Sequence, residues 1–189
     1  MPLIRVLLGL GSNSRREQNL TAGLNALEQL LGDMRCSPVF ESLAVGYKGD
    51  NFYNLVIFGT TGLPLMELDR RLKFIEADNG RYAPDRKGLP LDIDVLMYDD
   101  LVGNFHGLEL PRPETLKNAF VLWPLALLAP EVKHPRAGRS FAELWRDSAI
   151  EQQLWPVPFQ WKGEELTPAA LVQSCPGPGG LLDTSGPQA

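Results

Sequence analysis

An α+β sandwich with a mainly antiparallel sheet is the fold class this sequence predicts. Two observations carry it: apolar runs of strand length alternate with leucines at helical spacing, and the order is strand, helix, strand, strand, helix, strand. Ile4 to Leu10 reads as a buried strand ending at the turn-forming Gly9-Leu10-Gly11-Ser12-Asn13. Leu20, Leu24, Leu27 and Leu31 recur at helical spacing, and Gly32 is the stop. Arg35 to Leu43 fits a second strand, Val45 to Asn51 a loop, and Phe52 to Thr60 a third strand. Pro64 opens a second helix with the stripe Leu65, Leu68, Leu72 and Ile75, closed by Asn79-Gly80. A loop from Arg81 to Pro90 leads to a fourth strand, Leu91 to Tyr98, with Leu101-Val102 expected as a short strand beside it. Ala119 to Leu128 is helical, and Ser140 caps a last short helix, Phe141 to Arg146. This order is that of a ferredoxin-like sandwich.

The chain has 189 residues, enough for one domain with a real core and no disulfides. We expect that domain over residues 1–150. Residues 151–189 read as an extension in which Trp155, Phe159 and Trp161 dock as an arm, ending in a flexible Pro-Gly tail. A formal net charge of -5 disfavours a nucleic-acid surface. Cys36 and Cys175 stand far apart, outside any CxxC unit, so neither a zinc site nor a disulfide framework is expected. No segment has the apolar length of a membrane helix, and the N-terminal apolar run is too short for a signal peptide. The expected setting is therefore cytoplasmic, with no membrane partner.

Asp92 and Asp94 are the strongest chemical signal. Two apart in a strand, they share one face, and two such carboxylates with substrate phosphates are a common way to hold Mg. The bland alternative is a pair facing solvent on a half-exposed sheet. Gly11-Ser12-Asn13 is an ordinary turn or a place where amides approach a ligand. Phe52 and Asn54 flank a loop and suit a flat heterocycle, by stacking and paired hydrogen bonds; otherwise they are core residues. Arg70, Arg71, Lys73, Arg81, Arg86 and Lys87 form a basic run that is either a solvated face or a partner for the acidic pair. His106 and His134 stand alone and read as structural.

Four stretches, taken in order, resemble one family. They are Gly11-Ser12-Asn13, Phe52-Tyr53-Asn54, Leu91-Asp92-Ile93-Asp94-Val95-Leu96, and Leu110-Pro111-Arg112-Pro113 followed by Ala119-Phe120-Val121-Leu122-Trp123-Pro124-Leu125. The chain is similar to the hydroxymethyl-dihydropterin pyrophosphokinases over roughly residues 3–147. The resemblance implies transfer of the β,γ-diphosphate of ATP to 6-hydroxymethyl-7,8-dihydropterin, with AMP released; a monomer is expected, with the oligomeric state left open by the sequence. By resemblance, Asp92 and Asp94 bind two Mg ions. Ser42, Leu43, Val45, Phe52, Asn54 and Phe120 form the pterin pocket, with Phe52 and Phe120 on the two ring faces. Glu76 contacts the nucleotide, and Arg81 and Arg86 serve catalysis from the loop. Arg112 and Lys117 are expected beside the nucleotide as cations that reach a phosphate, in partial compensation for the family's basic residues that this chain lacks.

The chain departs from the family pattern at three positions. Gly88-Leu89-Pro90 stands where an Arg is usual, Arg112 where a His is usual, and Asn118 where an Arg is usual. Lost positive charge slows phosphoryl transfer. A pterin- or nucleotide-binding relative with weak or no transferase activity is therefore the alternative reading.

Overall fold

The computed structural model describes residues 2–44 and 49–178. Strand β1 (Ile4–Ser12) leads into helix α1 (Arg16–Leu30), and strands β2 (Gly32–Cys36), β3 (Val39–Ser42) and β4 (Phe52–Thr61) follow. Helix α2 (Leu65–Asp78), strand β5 (Asp92–Tyr98), a hairpin of β6 (Gly103–Phe105) and β7 (Leu108–Leu110), and helices α3 (Glu114–Lys117), α4 (Ala119–Leu128) and α5 (Phe141–Arg146) come next. The chain continues through β8 (Leu154–Val157), β9 (Gln160–Trp161), β10 (Glu164–Glu165) and α6 (Ala169–Ser174). The main sheet has six strands in the order β5-β1-β4-β3-β8, with β2 also paired to β4. Its ladders are antiparallel. The strand order and the α+β layering are those of the ferredoxin-like fold expected from the sequence.

Alternation along β1 divides the core in two. Val6, Leu8 and Leu10 pack with Leu20, Leu24 and Leu27 of α1 and Leu68 and Leu72 of α2. Leu7 points the other way and joins Val121, Leu122 and Leu125 of α4 and Phe141 of α5. A period of two on the strand and near 3.6 on the helices gives each element one apolar face to bury. On the α4 side an aromatic column stiffens the packing. Phe40 lies 4.6 Å from Trp123, which stacks on Trp145 at 5.3 Å with the planes 7° apart. Ser140 caps α5 as expected, in a full capping box with Glu143.

Three expectations are corrected. β1 does not stop at Leu10, because Gly11 and Ser12 still pair with Asn54 and Tyr53. The single strand expected from Arg35 to Leu43 is two strands, broken at Ser37-Pro38. Pro38 has no N–H for the ladder, and the Ser37 hydroxyl accepts the Val56 N–H at 2.8 Å instead. Leu101-Val102 forms no strand; β6 and β7 make their own two-stranded sheet. In α2 the expected stripe holds, with Ile75 packed at its edge, and Glu76 is buried in addition.

The chain beyond residue 150 is structured through α6. β8 adds a strand to the sheet beside β3, and Trp161 Nε1 donates to Asn25 of α1 at 2.9 Å. The expected tail from Pro176 lies outside the described residues from position 179 onward.

Candidate active site

The site lies on the α4 face of the sheet. In the strand register Asp92 stands opposite Gly11 and Asp94 opposite Gly9. On the other side of β1, Gly11 faces Asn54 and Gly9 faces Val56. The two glycines leave the floor between the carboxylates and Asn54 bare. A Cβ on Gly11 would come within 2.8 Å of Asn54 Oδ1, and one on Gly9 would touch Leu96 at 3.4 Å.

Two adjoining hollows open over this floor. One, of about 240 Å³, is lined by Asp92, Asp94, Glu114, Asn118, Phe120 and Val56 among others. The second, of about 230 Å³, is walled by Ser42, Leu43, Phe52, Leu89, Asn54 and Phe120. They share Gly11, Asn54, Asp92 and Phe120. The second hollow combines apolar walls with one convergent amide, which suits a flat polar ring. Asn54 is buried and donates to Ser42 Oγ at 3.1 Å, which holds its amide in place.

Each carboxylate has its own arginine. Arg81 Nη1 lies 3.0 Å from Asp92 Oδ1 and Arg112 Nη2 lies 3.2 Å from Asp94 Oδ1. Arg112 also lies 3.5 Å from Glu114, and its backbone N–H donates to the Leu96 carbonyl at 2.8 Å. Burial and the nearby Asp92 charge push the Asp94 carboxyl up to about 7, against the opposing pull of Arg112. Among the described residues no cluster of three or more His, Cys, Asp or Glu forms a ready-made metal cage. The Asp92–Asp94 set fits a hard divalent cation completed by substrate oxygens: paired oxygen donors, and a carboxylate that burial leaves short of positive charge.

Glu76 reaches the same strand from beneath the sheet. Its Oε2 accepts the Ile93 N–H at 3.0 Å, and Tyr82 donates its hydroxyl to Oε1 at 3.2 Å. Burial raises its pKa, partly countered by the Ile93 hydrogen bond. It therefore orients β5 and does not line either hollow over the floor.

The structure gathers Ser42, Leu43, Phe52, Asn54, Phe120, Asp92, Asp94, Arg81 and Arg112 around this floor. Lys117, at the end of α3, and Arg86, on the loop, are exposed and line neither hollow. Val45 lies outside the described residues. Leu89, Glu114 and Asn118 line the site although the sequence marked none of them as a lining residue for its own sake. The signal for Leu89 was in Gly11-Ser12-Asn13. Asn13 exchanges two hydrogen bonds with Leu89, donating its N–H at 3.0 Å and accepting at Oδ1 at 2.6 Å, and its Nδ2 donates to Asp50 at 3.3 Å. The Asn of that motif thus clasps two loops beside the site.

The sequence model of the 7,8-dihydro-6-hydroxymethylpterin-pyrophosphokinase (HPPK) family matches residues 7–130. The chain is 36% identical over 133 residues to a 2-amino-4-hydroxy-6-hydroxymethyldihydropteridine pyrophosphokinase of Aquifex aeolicus, covering 69% of this chain and 83% of that one. It is 35% identical over 133 residues to a folic acid synthesis protein of Dictyostelium discoideum, of which it spans 20%. Among solved structures it resembles the wild-type HPPK-DHPS of Plasmodium falciparum, with TM-score 0.63 and 15% identity, over 77% of this chain and 44% of that one. That last likeness concerns the fold alone.

Proposed function

The chain belongs to the 7,8-dihydro-6-hydroxymethylpterin-pyrophosphokinase family, and from that premise we propose that it transfers diphosphate from ATP to 6-hydroxymethyl-7,8-dihydropterin, a step of folate biosynthesis that releases AMP. The observation that carries this reading is the register of Asp92 and Asp94 against two bare glycines, beside a hollow walled by Phe52, Phe120 and Asn54.

In this reaction the pterin hydroxyl oxygen bonds to the β-phosphorus, and the bond from that phosphorus to the α,β-bridging oxygen breaks. The hydroxyl gives up its proton, and AMP leaves with the bridging oxygen. The protein's task is positioning and charge. Phe52 and Phe120 hold the ring between them, and Asn54 reads its amide edge from an orientation held by Ser42. Asp92 and Asp94 are the residues that would hold magnesium, which when bound supplies positive charge to the triphosphate and lowers the pKa of a bound hydroxyl. Arg81 and Arg112 pair with the carboxylates and are placed to meet phosphate oxygens. Glu76 keeps β5 in place through Ile93. We assign Arg86 and Lys117 to the outer approach of the nucleotide, because both are exposed cations flanking the site in sequence.

We adopt a monomer as the working unit. No helix among the described residues is long and apolar enough to cross a membrane. The two free cysteines support the cytoplasmic setting that we adopt. In this reading residues 1–150 are the pyrophosphokinase domain and 151–189 an extension.

A second reading has its own observation. Three carboxylates, Asp92, Asp94 and Glu114, line the first hollow, and Asn118 lines it as well, at the place where the family pattern has an Arg. A site so short of positive charge favours binding over fast turnover. The test is AMP formation from Mg-ATP and the pterin, with Asp92→Ala as control. Pterin-dependent AMP that vanishes in the variant supports the enzyme. Absence of AMP, with a melting temperature still raised by pterin, supports the binding relative; ligand at one hundred times its Kd stabilises by about 2.7 kcal/mol. Neither AMP nor a shift sinks both.

A further inference from the structure

The two walls of the ring-holding hollow are tied together by a segment outside the stretch that matches the family. The family match ends at residue 130, whereas Gln152 and β8 lie beyond it. Gln152 is half-buried, and its side chain reaches the start of α4. Its Oε1 accepts the Ala119 N–H at 2.7 Å, and its Nε2 donates to Asn118 Oδ1 at 3.4 Å. The next residue grips the opposite wall: the Gln153 carbonyl accepts the Leu43 N–H at 3.4 Å, and Leu154 pairs with Ser42 in the β3–β8 ladder.

Helix α4 has no side-chain cap of its own at Asn118. Its first-turn amides are orphan donors that need a partner. Gln152 provides one from a different part of the chain, at Ala119, the residue directly before the wall residue Phe120. We propose that Gln152 is a positioning residue for the pterin site, setting the gap between Phe120 on α4 and the Ser42-Leu43 wall on β3. The inference rests on the pterin reading above. The acidic pair is on β5, at the far end of the sheet order from β8, and the clamp meets its hollow only through Asn118 and Phe120, so the pterin half of the site depends on it more than the nucleotide half does.

The experiment uses the full chain with Gln152→Leu, which removes both hydrogen bonds, and Gln152→Glu, which keeps an acceptor for the Ala119 N–H. KM is measured for each substrate, and equilibrium binding of the pterin is followed by tryptophan fluorescence. A misplaced wall costs affinity steeply, so Gln152→Leu is expected to raise the pterin KM and Kd about tenfold. The KM for ATP rises several-fold less than that, because only Asn118 and Phe120 carry the clamp into the acidic hollow. Gln152→Glu recovers most of the loss. A wild-type pterin KM in Gln152→Leu, an equal rise in both KM values, or no recovery in Gln152→Glu overturns the positioning role. Should turnover be too slow to measure, the pterin Kd alone decides in the same way. A wild-type chain that does not bind the pterin sinks the functional reading and this inference with it; a wild-type chain that binds, beside a Gln152→Leu variant that binds equally, sinks only the inference.

Discussion

Removing the charge of Asp94 should stabilise the ligand-free protein at alkaline pH while removing its activity. Burial and the Asp92 charge raise the Asp94 carboxyl from its ordinary 3.8 to about 7. The folded chain thus holds this proton more tightly than the unfolded chain. Stability therefore falls as pH rises through the window between those two values, and above about 7 the whole cost is present. At about 1.4 kcal/mol per tenfold change in proton affinity, the upper bound is about 4 kcal/mol. The side chain is 33% exposed, and solvent screening brings the figure to about 2 kcal/mol. Asp94→Asn recovers that amount, in which the opposing pull of Arg112 is already included. The expected gain at pH 8.5 is about 2 kcal/mol, or about 6 °C in melting temperature for a chain of this size. At pH 5 the gain shrinks to about a third, because the folded wild-type carboxyl is then largely protonated while the unfolded one is still ionised. The assay is calorimetric melting without divalent metal at the two pH values, repeated with Mg and nucleotide. Added ligand should raise the wild-type transition and leave the variant where it was. A variant less stable than wild type at pH 8.5, or one that gains as much from Mg and nucleotide, refutes the electrostatic account of this pair.

Three further outcomes follow from the same structure. Gly11→Ala puts a methyl within 2.8 Å of Asn54 Oδ1; it should weaken pterin binding at least tenfold, an order-of-magnitude cost of displacing one reading group, with titration of the pterin as the measurement. His134 is buried and accepts the Arg136 and Ala137 N–H groups at Nδ1, and burial with the Arg136 charge holds its pKa below the ordinary 6.5. The unfolded chain then binds the proton more tightly, so stability is full above about pH 6.5 and falls below it; urea titrations should show His134→Gln with a flatter profile between about pH 6.5 and 5, and an equal slope in both proteins counts against this. Leu24→Ala empties a fully buried position between α1 and β1; it should cost about 2–5 kcal/mol in chemical denaturation, and a loss under about 1 kcal/mol would mean that this core collapses around the gap.

The elements and their order were legible in the sequence because periodicity records burial. Leu20, Leu24 and Leu27 are buried as their spacing predicts. Asp92 and Asp94 share a face because strand geometry leaves them no alternative. The resemblance to the family likewise lies in short local runs. Tertiary structure decided what depends on partners distant in sequence. Ser37 and Pro38 split one expected strand because the Val56 N–H finds the Ser37 hydroxyl. Glu76 is buried beside the apolar stripe because the Ile93 amide takes its carboxylate as acceptor. Asn13 turns to the Leu89 and Asp50 backbones, and Gln152 to the amide that opens α4, across separations that no local pattern encodes. Local chemistry determined which residues can hold a metal or a ring. Only the sheet register, with Gly9 and Gly11 bare between β5 and β4, brought the acidic pair and Asn54 to one floor.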